Sequence, residues 1–267
     1  MCLGHLRIPV FGCIVKIYCF GAVLTMKITG QENFFTQHSL CQPGNGKGCS
    51  ACCGLFNLED ISRESCNELL RGCTGSFNPR TLKGYAGDEV IPGEKDFPPR
   101  DITSHICPFQ GFITTGTPGC LAHPFVNNGS DYRKFSLFGS KICGDFLCPA
   151  HSILDDMAAS ILIEFTDDWY TYSVGVIDPY SLLWIIDCCR SLKGDQVFKV
   201  TAEKEKGSLL LSGSLEIHAG YLNAKNTTVF HYGLSEYTAA SEYFSLGSPR
   251  TDMDEERDVI RSFIRKV

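Results

Sequence analysis

The chain predicts a mainly α protein, with irregular loops and a few short strands, in which a cysteine-rich loop region is packed on helices. Two observations carry that expectation. Cys49, Cys52 and Cys53 are crowded between Gly48 and Gly54, in loop-forming sequence. Apolar residues recur at helical spacing through much of 152–193 and again over 251–267. With 267 residues, 43% of them hydrophobic, the chain suffices for one large domain or two small ones with real cores.

Composition then narrows the function. A formal charge of -6 and a pI near 5.6 leave no basic surplus for phosphate backbones, so nucleic acid is not expected as a partner. The 15 cysteines are an odd number, so a fully paired disulfide framework cannot account for all of them. Disulfides mostly replace a core that a short chain cannot build, and this chain has apolar residues to spare. Metal ligation is therefore the leading expectation, in a cytoplasmic protein.

The elements follow in chain order. Residues Ile8 to Met26 are largely apolar and include Cys13 and Cys19. Lys16 interrupts the run, Pro9 and Gly12 weaken a helix, and no small-x-small cleavage site follows. The apolar length falls short of the ~20 residues a span needs. Val10-Phe11-Gly12-Cys13 is only a weak lipobox, and Met26 opens an ordinary polar start. Residues 1–25 are thus expected to be a mis-assigned start or leader, with no membrane association.

From 26 to 151 the expectation is a cysteine-rich metal-binding region. Residues 43–48 form a flexible loop without P-loop spacing. Three thiols within five residues, flanked by glycines, present sulfurs toward a common point. Beyond them Leu58, Ile61, Cys66, Leu69 and Leu70 suggest a helix capped at Asn57 and ended by Gly72. Thiols just before a helix start would gain thiolate character from its amides. Residues 73–100 read as surface. Cys107, Cys120, Cys143 and Cys148 each lie near Gly or Pro, where a ligand can be aimed.

The ordered set Gly48-Cys49-x-x-Cys52-Cys53-Gly54, Leu58-Glu59-Asp60-Ile61, Cys107-Pro108-Phe109, Gly119-Cys120-Leu121-x-His123-Pro124, Cys143 and Cys148-Pro149 resembles the YkgJ-like CxxCxxCC cysteine-cluster family. That family is associated with chelation of zinc or iron. The resemblance covers about residues 41 to 151, and Gly46 stands where the family pattern has a further Cys. Cys41 is the obvious substitute thiol. What the resemblance implies is a metal site drawn from Cys49, Cys52, Cys53, Cys107, Cys120, Cys143 and Cys148, with Cys41 and His123 as the less certain members.

Seven thiols plus Cys41 or His123 make eight donors, enough for two four-ligand sites or for one site with sulfurs in reserve. Adjacent Cys52 and Cys53 point in different directions on an extended chain. Their bland alternatives matter too: His123 and His151 can simply cap turns, and Cys66 and Cys73 read as packing residues. Only Cys49 and Cys52 form the short pair typical of zinc, whereas the other thiols are dispersed, which clusters tolerate. An iron-sulfur cluster or iron is the expected cofactor, with zinc a near-equal alternative.

Residues 152–267 are expected to be a helical C-terminal region packed on the first. Ser152 to Asp155 has capping-box spacing ahead of an amphipathic stripe of Leu154, Met157, Ile161 and Phe165. Asp178-Pro179 starts a helix that ends at Gly194 and is apolar almost all round, which makes Cys188 and Cys189 structural. Residues 197–200 and 208–217 are ambiguous between strand and helix. Thr251 caps a last helix with a stripe of Met253, Ile260, Phe263, Ile264 and Val267.

No G-x-S-x-G, H-E-x-x-H or dinucleotide fingerprint is present, so a metal-independent enzyme has no support. Asp167, Asp168 and Asp178 read as caps. Two functions remain open: a metal-binding protein, at its simplest a structural zinc module, and an iron-sulfur-dependent enzyme resembling the flagellin lysine methylases. Neither catalytic residues nor a substrate can be named.

Overall fold

The computed structural model describes residues 40–80, 82, 99–100, 106–136, 138–199, 204–224 and 253–267, with strand backbone at 14–19 and 22–27. The chain divides into two compact units, Met1–Gln37 and His38–Val267. In the first, β1 (Ile14–Cys19) pairs antiparallel with β2 (Ala22–Lys27), in a register that sets Val15 opposite Met26. The boundary expected between residues 25 and 26 falls inside β2.

The second unit is mainly α. Its helices are α1 (Arg63–Ser76), α2 (Gly139–Asp145), α3 (Ala150–Ile153), α4 (Asp156–Phe165), α5 (Trp169–Ile177), α6 (Pro179–Lys193), α7 (Lys204–Ala224) and α8 (Asp254–Lys266). A hairpin, β3 (Gln110–Thr114) with β4 (Thr117–Cys120), is added to them. Among the described residues no helix is long and apolar enough to cross a membrane.

Helix α1 begins later than expected. Its cap is Ser62, whose hydroxyl accepts from the Ser65 N–H at 3.3 Å, while Leu58 bridges to Pro99 and Asn57 sits in a separate 3-10 turn. Gly72 does not stop it, because one exposed glycine costs a helix only about 1 kcal/mol and Cys73 is still buried behind it. The start of α1 is tied to later helices. Asn223 on α7 accepts from the Ile61 N–H and donates to Asp60, both at 2.8 Å, and the Tyr170 hydroxyl donates to the Ile61 carbonyl at 2.8 Å.

Helix α5 is buried along its whole length, between α4, α6, α7 and the 3-10 turn Ala51–Cys53. Asp168 caps it by accepting from the N–H groups of Tyr170 and Thr171. The capping residue of α4 is Asp155, whose carboxylate accepts from the Ala158 N–H at 2.7 Å; Ser152 instead lies inside the short α3. Met157 is 52% exposed and leaves the expected stripe. Helix α6 runs as expected from the Asp178 cap to Gly194, but Asp187 and Leu192 face solvent, so it is amphipathic and not apolar all round.

The ambiguous residues 208–217 lie within the single helix α7, and Val197 and Phe198 lie in a 3-10 turn. Gly213 would ordinarily weaken a helix, but the Phe263 ring of α8 occupies the place of its absent Cβ. Met253, Ile260 and Ile264 bury the expected stripe of α8 against the domain itself; Thr251 lies outside the described residues. A buried triad fastens the same corner. His218 of α7 meets Glu256 of α8 through Nδ1 at 2.5 Å, and its Nε2 lies 3.1 Å from the carboxylate of Asp178, the cap of α6. The second approach has ion-pair distance without full hydrogen-bond alignment.

Candidate metal centre

The cysteine-rich stretch is bound into this helical body by its backbone. The Cys49 N–H donates to the Cys41 carbonyl at 3.0 Å, which sets those two residues side by side. Ala51–Cys53 then turn as a 3-10 helix, closed by the Gly54 N–H on the Ala51 carbonyl at 2.9 Å. Gly48 lies so close to the Pro118 carbonyl of β4 that no side chain fits there. From α5, the Tyr172 hydroxyl donates to the Leu40 carbonyl at 2.7 Å and the Ser173 hydroxyl to the Gly48 carbonyl at 3.2 Å.

The remaining thiols reach this turn from elsewhere in the chain. The Cys107 N–H donates to the Cys53 carbonyl at 2.8 Å, and β4 ends on Cys120. Cys143 is on α2, where its carbonyl accepts from Arg133 at 3.2 Å and its sulfur lies 3.5 Å from the Ser136 hydroxyl. Cys148 immediately precedes Pro149 and α3, with its sulfur 3.8 Å from His151 Nδ1.

The sulfurs group around Cys52 and Cys53, with Cys52 near Cys148 on one hand and near Cys107, Cys120 and Cys143 on the other. Cys41, Cys49, Cys52 and Cys148 line a cavity of about 20 Å3, walled also by Phe146 and Val176. On the other side the Cys53 thiol is hydrogen-bonded to Cys107, and Cys107 and Cys143 both lie near Cys120. The same division appears in the packing. Cys49, Cys52 and Cys148 belong to the main core, whereas Cys53, Cys107 and Cys120 join a separate apolar cluster around Phe109 and Ala122.

Burial governs the chemistry of these thiols. Desolvation pushes Cys49 well above the usual thiol range, Cys120 up to about 12 and Cys148 up to about 11, and raises Cys143 as well. Cys53 is raised chiefly because it donates its proton, first to Cys107 and then to Cys52. Cys52 moves the other way, since the Cys53 thiol donates to it. The expected assistance from a following helix is absent: α1 starts only at Arg63, and a single amide, Ala51 N–H at 3.4 Å, reaches the Cys49 sulfur.

His123 caps a turn, with its Nδ1 accepting from the Phe125 N–H at 3.1 Å, and its charged neighbours are Arg133 and Asp131. Cys66 and Cys73 are buried on α1; Cys66 donates to the Ile61 carbonyl, and burial pushes Cys73 up to about 12 with Cys107 nearby. Arg133 was not foreseen. Asp131 holds its guanidinium at 2.9 and 3.0 Å beside Cys120 and Cys143. A loop Arg beside an Asp carries no motif that would single it out.

Among the described residues, no three His, Cys, Asp or Glu side chains are set up to hold a metal ion as they stand. The common point expected for Cys49, Cys52 and Cys53 is replaced by thiol-to-thiol hydrogen bonds and by the division across the turn. A change of χ1 rotamer moves a cysteine sulfur by about 3 Å, a small adjustment beside what the fold has already brought together. The donor set is soft and its pocket walls are apolar, which suits a thiolate-bound metal.

No protein-family model, curated protein or solved structure matches the chain.

Proposed function

We propose that the protein holds a metal, as an iron-sulfur cluster, iron or zinc, through the thiolates of Cys41, Cys49, Cys52, Cys53, Cys107, Cys120, Cys143 and Cys148. The supporting observation is their convergence: segments around residues 41–53, 107, 120, 143 and 148 deliver thiols to one turn that is anchored on the buried α5. A core that merely needed small apolar residues has no reason to collect sulfurs from so many segments. Arg133 would offset part of the negative charge of a thiolate centre. When bound, the metal would fix loops with little regular structure, so its binding energy becomes folding energy. The motif resemblance to zinc- and iron-chelating proteins points the same way.

Anaerobic purification followed by metal and acid-labile sulfide analysis, with a visible spectrum, tests this. Bound iron with sulfide and a coloured protein is the expected result; colourless protein with stoichiometric zinc removes the cluster and keeps the metal. Protein that is isolated without metal and takes up neither Fe2+ nor Zn2+ would overturn the proposal. Cys52→Ser is expected to lose metal and stability together.

A further inference from the structure

Resting on that reading, we infer that the thiols form two separate four-sulfur centres back to back across the Cys52-Cys53 step, and that the first, Cys41, Cys49, Cys52 and Cys148, takes a single soft divalent ion. The second is Cys53, Cys107, Cys120 and Cys143. Cavity lining and apolar packing divide most of the sulfurs in the same place, with Cys52 at the boundary, near Cys107, Cys120 and Cys143 as well. The cavity is lined by the first four and by none of the others. The apolar packing assigns Cys49, Cys52 and Cys148 to the main core and Cys53, Cys107 and Cys120 to the smaller cluster. The backbone joins Cys41 to Cys49 and Cys53 to Cys107, and Cys143 is placed by its nearness to Cys107 and Cys120.

Size favours one ion in the first centre. A cavity of about 20 Å3 holds one water-sized species, since a water needs roughly 10–15 Å3 on this measure. A cluster of several iron and sulfide atoms is much larger than one ion. Four thiolates around one ion are a closed tetrahedral site, which is structural and has no position for substrate. The second centre differs in its surroundings. Cys143 is exposed there, and Arg133 stands beside Cys120 and Cys143, so this side admits solvent and carries a compensating cation. Adjacent Cys52 and Cys53 sit where the two centres meet, joined by the Cys53 thiol donating to Cys52.

The test uses the full chain, reduced and stripped of metal, titrated anaerobically with Co2+, whose thiolate complexes absorb in the near ultraviolet and visible. Two equivalents of Co2+ are expected. Stepwise chelation of the loaded protein, with cysteine-resolved alkylation and mass spectrometry, should then expose the thiols as two groups of four with the memberships given above. Cys49→Ser and Cys120→Ser should each remove one equivalent and leave the other, and circular dichroism establishes that each variant is folded. Alkylation of the unmutated chain decides the matter if either variant fails to fold. A single equivalent, lost entirely in both variants, or exposure of all eight thiols together, overturns the two-centre inference while metal binding stands. Absence of any thiolate-to-cobalt absorption removes both.

Discussion

Two buried clusters of titratable side chains sit in the same molecule and resolve their electrostatics in opposite ways. Around His218 the groups are carried on helices: Asp178 caps α6, His218 is on α7 and Glu256 is on α8. Positive and negative charges face each other there, and Ser181 adds two further hydrogen bonds to the Asp178 carboxylate. Around Cys52 the thiols are carried mainly on loops and turns, with Arg133 beside Cys120 and Cys143, and nearly every shifted thiol is held protonated by burial. The triad meets its acids with the His218 imidazole. Apart from the help of Arg133, the thiols stay neutral by keeping their protons, and on the proposed function a soft cation would replace those protons. A buried cluster that sets a cation between acids is held by its own ion pairs, whereas the thiol cluster would need a soft cation to do the same, as proposed.

The largest expected effect breaks the triad. His218→Ala leaves two carboxylates in a dry corner, Asp178 and Glu256, with no cation between them. Removing one partner of a buried ion pair costs about 3–5 kcal/mol. Denaturant unfolding should show that loss, centred on the docking of α8, while metal content per folded molecule is unchanged. Metal loss in a folded His218→Ala chain would mean that the two clusters are coupled.

A pH titration sharpens the same contrast. Burial opposes charge on His218, but the nearby carboxylates of Asp178 and Glu256 win and hold its pKa at about 9, above the ordinary 6.5. A raised folded pKa means that the stabilisation is fully present below pH 6.5 and is lost as pH rises through about 9. Asp178 is held below its ordinary 3.8 by His218 and Ser181, against the effect of burial, so its contribution is present above pH 3.8 and fades in stronger acid. Unfolding free energy should therefore fall by up to about 3 kcal/mol between pH 6.5 and 9. His218→Gln should flatten that slope; an unchanged slope would show that the triad is not its source.

The sequence made the thiols legible and left the triad hidden, for a physical reason. Cys49, Cys52 and Cys53 form a local pattern, and the Gly and Pro beside the distant cysteines mark loops that can aim them. His218, Asp178 and Glu256 are far apart in the chain, and each reads alone as an ordinary helix residue or cap. Helix α6 was legible from Asp178-Pro179 to Gly194 because both ends carry their signals. Helix α5 was not, since burial on every face removes the period by which a helix is recognised. In α7 the glycines weakened the signal, and only the partner ring of Phe263 explains Gly213. Which sulfurs share a side of the turn depends on Cys53 bonding to Cys107 and Cys41 to Cys49, pairings that spacing does not encode.

The smallest expected effect concerns a thiol outside both clusters. Cys189 is buried on α6, and burial, with Cys188 next to it, pushes its pKa up to about 12. It is therefore a neutral side chain that fills space, a small apolar group in chemical terms. Cys189→Ser exchanges sulfur for a smaller, more polar oxygen. A buried hydroxyl without a partner costs about 1–3 kcal/mol, but on a helix the new hydroxyl can bond back to the carbonyl one turn earlier, here that of Ile185. The expected loss is thus near the bottom of that range, about 1 kcal/mol, with full metal content and an unaltered spectrum. Metal loss equal to that of Cys52→Ser would mean that aimed loop thiols and helix thiols do not differ in kind, and the division between proposed metal site and core would fall.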